Sequence, residues 1–435
     1  MKTIDRKGDP DKKDLYRPFL CRQREPAGPA CARIKEILRP EGREEVREPA
    51  MKVYLDNAAT SLVKPPEVPE AMMEYMREVN ANPGRGGYEL SLEAGRRMYG
   101  VRETLAGFFG ADHPEQVVFS QNVTLALNQA IKGLVRPGDH VVISAMEHNA
   151  VFRPVWKLRE KGIIDFSVIP ADSRGITDPE DFLRLLRPDT RLLVVSHASN
   201  VCGSIFPLRE VAEMARARDI LVVADTAQTA GVLPVSLNGD SLDVLAFTGH
   251  KHLLGPTGTG GMVVGPRALS RMETLIEGGT GSLSHRPEQP DFLPDMLECG
   301  TLNTVGLAGL EAGVRWLQGR PPGLERQWEM EVAGRLLESL MALPQLEIYG
   351  PRDMRLQTGT IAFNIRGVDN GELCQVLDSE FGVMGRTGLH CSPLGHETLG
   401  TLPEGCMRFS TGAFTTMEEV EYTLNAVREL VKLVI

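Results

Sequence analysis

Lys251 sits in the run Phe247-Thr248-Gly249-His250-Lys251-His252-Leu253-Leu254-Gly255-Pro256-Thr257-Gly258-Thr259-Gly260-Gly261, just past a hydrophobic stretch. A lysine there can form a Schiff base with an aldehyde cofactor, while the hydroxyl and imidazole before it and the glycine-rich turn behind it suit a phosphate. Most lysines are only solvated surface groups, so Lys251 gains weight from Asp225. That residue ends the apolar run Ile220–Ala224. A carboxylate is what a pyridinium nitrogen needs if its ring is to act as an electron sink, which points to pyridoxal phosphate. An N-cap role for Asp225 over Thr226-Ala227-Gln228 is the competing reading, and the two roles can coexist.

Cys391 lies in Gly388-Leu389-His390-Cys391-Ser392-Pro393-Leu394-Gly395-His396, five residues after Arg386. The Gly and Pro make this segment a loop, and an exposed thiol near cations is a plausible nucleophile. Burial is the commoner fate of a free cysteine, and it suits Cys202, Cys374 and Cys406 better. His250 and His252 form an H-x-H pair, which on one strand face could bind a metal, but no third ligand with suitable spacing accompanies them. No metal is expected.

From Met51 onward, β-rich runs alternate with helical patterns: Gln116–Ser120 then Leu125–Leu134, His140–Ser144 then Val151–Glu160, Asp165–Ile169 then Pro179–Leu186, Arg191–His197 then Leu208–Arg218, and Leu221–Asp225. The alternation predicts an α/β fold with a mainly parallel central sheet. Ligands of such sheets bind beyond the carboxyl ends of the strands. Thr124, Glu147-His148, Ser199-Asn200 and Asp225 with Gln228 all fall there. After Arg320-Pro321-Pro322-Gly323 come a long helical stretch, strand-like Leu346–Tyr349 and Thr360–Ile365, and a helix from Met417. The expected division is an extension over 1–50, a large domain over 51–315 and a smaller C-terminal α+β domain over 316–435. The segment 51–78 is a candidate to pack with the smaller one.

The 435 residues carry 42% hydrophobic and 24% charged side chains, the composition of an ordinary globular protein. A net charge of −10 repels phosphate backbones, so nucleic acid is not an expected partner. No apolar run approaches the roughly 20 residues of a membrane span. Seven dispersed cysteines without C-x-x-C or a secretory signal read as reduced thiols of a cytoplasmic protein. The first fifty residues show little periodicity and read as a disordered extension, with Met51 a possible true start.

The chain from Tyr54 to its C-terminus resembles the cysteine desulfurase and selenocysteine lyase branch of the class V aminotransferases, which are fold type I pyridoxal phosphate enzymes. The carriers are Leu55-Asp56-Asn57-Ala58-Ala59-Thr60, Asn82-Pro83-Gly84-Arg85-Gly86, Glu147-His148-Asn149, Ser196-His197-Ala198-Ser199-Asn200, Ala224-Asp225-Thr226-Ala227-Gln228, Gly249-His250-Lys251, Gly300-Thr301-Leu302-Asn303-Thr304 and Arg386-Thr387-Gly388-Leu389-His390-Cys391.

The resemblance implies that Lys251 carries the Schiff base, Asp225 pairs with the ring nitrogen, Gln228 bonds the phenolic oxygen, and His148 stacks on the ring and moves protons. Thr124, Thr248 and His250 are implied phosphate ligands. Thr301 is implied to reach the phosphate of a neighbouring subunit, hence a homodimer. Arg408 and, with less weight, Arg386 would grip the substrate carboxylate; Asn200 would sit by ring and substrate. Cys391 would take sulfur from L-cysteine as a persulfide, leaving L-alanine, and pass it to an acceptor protein, as in iron–sulfur cluster biogenesis. The short segment between Cys391 and Arg408 resembles the family's second group. Asn122-Val123-Thr124-Leu125 and Cys299 depart from the family's pattern around the phosphate. Rival readings are a selenocysteine lyase acting on L-selenocysteine, an aminotransferase or epimerase, and a non-catalytic sulfur carrier or scaffold.

Overall fold

The computed structural model describes residues 49–84 and 86–434. The extension expected over 1–50 lies, apart from its last two residues, outside the described residues.

The chain opens on the short strand β1 (Val53–Tyr54) and the helices Glu67–Glu78 and Glu89–Phe109. The central sheet follows: β2 (Val117–Ser120), β3 (His140–Ser144), β4 (Asp165–Ile169), β5 (Thr190–Ser196), β6 (Leu221–Asp225), β7 (Val244–Thr248) and β8 (Gly260–Val264). Its spatial order is β2-β8-β7-β6-β5-β3-β4, and β8 alone of these seven runs against its neighbours. The sheet is therefore mainly parallel, the α/β architecture of fold type I.

Both faces of the sheet are covered, and for that reason β3, β5, β6 and β7 each contain an unbroken apolar run. Val142, Leu193, Val195, Val222, Ala224, Leu245 and Phe247 face one core; Val141, Ile143, Leu192, Val194, Val223, Val244 and Ala246 face the other. Each large aliphatic side chain so buried contributes about 1.5–3 kcal/mol.

A second, antiparallel sheet is built from β9 (Leu346–Tyr349), β10 (Thr360–Ile365), β12 (Arg386–Gly388) and β13 (Cys406–Ser410), in the order β12-β13-β10-β9. The strand β11 (Val383–Met384) pairs in parallel with β1. Val53 and Leu55 thereby enter the core of the second sheet, with Leu336, Ile361, Phe363, Phe409 and Leu430. The helix Glu67–Glu78 goes elsewhere: it packs along the helix Thr304–Gln318, and its Tyr75 joins a core of the large sheet. Residues 51–78 are thus shared between the two sheets. A small apolar seam of Met146, Val201, Cys202, Ala362, Leu399 and Cys406 joins the large-sheet loops to the second sheet. Among the described residues, no helix is long and apolar enough to cross a membrane.

Candidate active site

Strands β7, β6, β5 and β3 are consecutive neighbours in the sheet. The residues just past their carboxyl ends, Lys251, Asp225, Asn200 and His148, therefore gather at one edge. The turn carrying Lys251 is braced by close backbone packing. Gly231 has φ +100°, and a Cβ there would lie 2.3 Å from the His252 carbonyl oxygen. A Cβ on Gly249 would meet the Thr259 hydroxyl at 2.1 Å. His250 and His252 lie in this turn beyond β7, so they do not share a strand face.

Burial pushes the Lys251 amine down to about 8; the charges of Arg408 and Arg386 add to this, while Asp225 and Asp56 oppose it. Asp225 is buried, and desolvation raises its carboxyl above the usual range against the Ala227 N–H and the Lys251 charge. That N–H donates to Asp225 Oδ1 at 3.0 Å. The segment after Asp225 is a turn with no helix to cap.

Buried polar atoms without partners cluster in these same segments: Thr248 Oγ1, His250 Nδ1, Gln228 Oε1, Asn200 Oδ1 and Arg408 Nε. Gln228 donates through Nε2 to the Ala58 carbonyl at 3.1 Å. Of these residues, His250 lines an open cavity with Asn122, Thr257 and Gly258. Thr124 is exposed in the first turn of the helix Val123–Leu134, whose N-cap Asn122 accepts from the Leu125 N–H at 3.0 Å. Thr301 is exposed and lines one cavity with Asn82, Arg102 and Glu298 and another with Gln121, Gly258 and Asn303, three residues that also line the His250 cavity.

His148 caps the helix Asn149–Glu160: its Nδ1 accepts the Ala150 N–H at 3.0 Å. The ring proton therefore sits on Nε2. Burial, followed by the charges of Lys251, Arg153 and Arg408, lowers the imidazole to about 4, so it is neutral at pH 7.

Arg408 is buried on β13. Its Nη1 donates to the Asn200 carbonyl at 2.8 Å and its Nη2 to Asp56 Oδ1 at 2.5 Å. Arg386 lies half-exposed on β12, 3.6 Å from Asp56 Oδ2.

Cys391 is exposed at a turn where His390 and Cys391 both adopt positive φ, +44° and +60°. Three hydrogen bonds tie the turn down. The Asn149 N–H donates to the Cys391 carbonyl at 2.7 Å, Asn200 Nδ2 to the His390 carbonyl at 2.5 Å, and Ser392 Oγ to the Glu147 carbonyl at 2.9 Å. The loop expected from its Gly and Pro is a tight turn leading into the helix Pro393–Thr398. Cys202 and Cys406 are fully buried.

The sequence reading assigned no role to Glu147, Asp56, Asn149 or Ser392. Glu147 is wholly buried and accepts from Ser144 Oγ at 2.5 Å and from the Ser196 N–H and Oγ at 2.9 and 2.7 Å. Burial raises its carboxyl to about 7, against the pull of those hydrogen bonds. It clamps the ends of β3 and β5 together. Its position after a strand was a signal; the partners of Asp56 and Ser392 lie more than two hundred residues away and left none.

The family model for class-V aminotransferases matches residues 53–423. A probable cysteine desulfurase of Methanothermobacter thermautotrophicus is 34% identical over 388 residues, covering 87% of this chain and 94% of that protein. A cysteine desulfurase of Escherichia coli O127:H6 is 33% identical over 389 residues, 87% of this chain and 93% of its own. The apo structure of the cysteine desulfurase from Thermococcus onnurineus NA1 superposes with a TM-score of 0.82 at 32% identity, covering 88% of this chain and 95% of that one. On the matched span and these identities, the chain belongs to the class-V aminotransferase family, in its cysteine desulfurase branch.

Proposed function

We propose that this protein is a pyridoxal phosphate-dependent cysteine desulfurase that moves the sulfur of L-cysteine onto Cys391 and releases L-alanine. The observation that carries the reading is the tethering of Cys391. Its carbonyl is held by the residue next to His148, and the carbonyl before it is held by Asn200, whose own carbonyl is bonded by Arg408. An exposed thiol is thus joined by short hydrogen-bonded links to a buried cation and to the Lys251 edge.

The residues present fit the cofactor. Thr248 Oγ1 and His250 Nδ1 are unpartnered and suited to phosphate oxygens, while Thr124 sits in the first turn of a helix, where an anion is favoured. Asp225 offers a buried carboxylate to a protonated ring nitrogen, and Gln228 retains hydrogen-bonding capacity for a ring oxygen. When bound, pyridoxal phosphate supplies an aldehyde for amines and a ring that withdraws electrons.

Lys251, with its amine lowered to about 8, holds a substantial unprotonated fraction near neutral pH and can act as nucleophile and as base at the substrate Cα. The Arg408 guanidinium, with Arg386 beside it, binds the substrate carboxylate in place of Asp56. Neutral His148 presents Nε2–H and would cover the ring of the bound cofactor. The Cys391 thiolate attacks the substrate sulfur; the S–S bond forms as the C–S bond breaks, and the carbon takes a proton and leaves as L-alanine. Sulfur is oxidised as carbon is reduced, so the step needs no outside oxidant. A thiol reductant or an acceptor protein then removes the persulfide sulfur. Thr301, exposed at a cavity edge, is assigned to the phosphate of a second subunit in a homodimer.

The test is sulfide and alanine released from L-cysteine by the yellow protein in the presence of a reductant, beside Cys391→Ser. Equal amounts from the wild type, lost in the variant while the colour stays, are expected. Unchanged variant activity would overturn the role of Cys391.

A further inference from the structure

Behind the Cys391 turn, on the protein-interior side, three side chains that ligate metals converge. One ligand atom each from His390, His396 and Cys406 lies within 4.8 Å of the other two. All three residues are buried, His396 and Cys406 completely. They come from the turn, the helix Pro393–Thr398 and the first residue of β13, so the segment 390–406 folds back to bring its two ends together.

The ring nitrogens divide into bonded and bare. His390 Nε2 meets the Cys406 carbonyl at 3.0 Å. A carbonyl only accepts, so Nε2 carries the proton and Nδ1 keeps its lone pair. His396 Nδ1 meets Thr401 Oγ1 at 2.7 Å, and that hydroxyl donates its own hydrogen to the His396 carbonyl. Nδ1 is then the donor, which leaves the lone pair on Nε2. Neither His390 Nδ1 nor His396 Nε2 has a hydrogen-bond partner, although both are buried. The Leu389 carbonyl lies close enough to the His396 ring to favour its protonated form, but outside hydrogen-bond geometry at Nε2, so a metal and a proton compete for that nitrogen. Two orphan imidazole nitrogens cost stability unless something fills them, and the third group beside them is a thiol.

Two neutral imidazoles and one sulfur are the donor set of a borderline-soft ion with tetrahedral preference. We propose that His390, His396 and Cys406 form a zinc site that pins the Cys391 turn from its buried side. Zinc–nitrogen bonds of about 2.0 Å and a zinc–sulfur bond of about 2.3 Å draw the donors inward by roughly 1 Å from their present spread. The fourth corner is left to a small exogenous ligand. Cys406 gives up its proton to solvent on binding, and no redox change occurs. The resulting thiolate also offsets the Arg408 charge, which acts on both His390 and Cys406. The site is distinct from the reactive thiol: Cys391 is exposed, whereas the three ligands are buried.

The experiment uses the full-length protein with its cofactor, stripped of metal by a chelator, loaded with one equivalent of zinc, desalted and assayed for metal. Wild type and Cys391→Ser are each expected to retain one zinc per chain, and Cys406→Ala and His396→Gln to retain none. Cobalt(II) loaded into Cys391→Ser keeps the test independent of whether the ligand variants fold. Thiolate-to-cobalt absorption with the visible bands of a tetrahedral ion is the expected spectrum. Zinc lost in Cys391→Ser, zinc kept by Cys406→Ala, or no thiolate band with cobalt would each overturn the site. Metal content and spectrum are read without turnover, so the outcome is independent of the desulfurase assay.

Discussion

Arg386 and Arg408 stand directly opposite each other across the β12–β13 pairing, and both are turned toward the carboxylate of Asp56. Two like charges opposed on neighbouring strands repel. Asp56, delivered by the chain just after β1, holds the pair in place in the free protein. In the proposed reaction, a substrate carboxylate entering here would meet guanidinium groups already oriented by a carboxylate of the protein.

The two arginines are unequal. Arg408 is buried with two charge-assisted or carbonyl hydrogen bonds, whereas Arg386 is half-exposed with one 3.6 Å ion pair. Arg408→Lys is expected to raise KM for cysteine on the order of tenfold or more, because an ammonium cannot reproduce the planar fork. Arg386→Lys should change it less than about threefold, the scale of an exposed pair. Steady-state kinetics of both variants decides this.

Asp56→Asn leaves the buried Arg408 charge without its counterion. Breaking a buried pair in this way costs about 3–5 kcal/mol, and urea unfolding of the variant should show a loss approaching that size. An added carboxylate such as alanine or acetate is expected to restore part of it, since an anion can take the vacated place beside Arg408.

Ser392→Ala removes the hydroxyl that ties the Cys391 turn to the Glu147 carbonyl. A loss of about 1 kcal/mol in stability follows from one hydrogen bond. The kcat for alanine formation should fall with KM for cysteine nearly unchanged, because Arg408 is untouched. A parallel rise in KM would show that the tie also shapes the substrate site.

Protein freed of its cofactor carries a pH signature of Lys251. Its amine titrates near 8 in the fold, against 10.5 in the unfolded chain, so between those values the unfolded state binds more protons. Stability therefore rises with pH from 8 to 10.5 and loses this contribution as pH falls through 8. The slope from this group is at most about 1.4 kcal/mol per pH unit, the value for one proton. Denaturation midpoints of the cofactor-free wild type and Lys251→Met across that range test it: the variant's slope should be flatter.

The element pattern was readable because each strand of the central sheet is a short apolar run closed by polar punctuation. Leu221–Asp225, Leu346–Tyr349 and Thr360–Ile365 fall where the residue pattern places them. The first helix was harder to place. Glu67–Glu78 follows β1 closely, yet the two pack against different sheets, and which face a helix buries against depends on partners hundreds of residues away.

The chain's residues alone determined the chemistry available: a lysine after one strand, a carboxylate at the end of another, and a thiol between Gly and Pro. They also determined the parallel sheet that gathers such residues, since strand-end positions are a matter of local periodicity and of the fixed hand of βαβ connections. Tertiary structure alone decided the partnerships. Asp56 meets Arg408 across 352 positions of chain, and Ser392 reaches Glu147 across 245. The convergence of His390 and His396 on Cys406 is of the same kind. A hydrogen bond or ligand contact depends on distance in space, and spacing along the chain carries no record of that distance until loops close and cores pack.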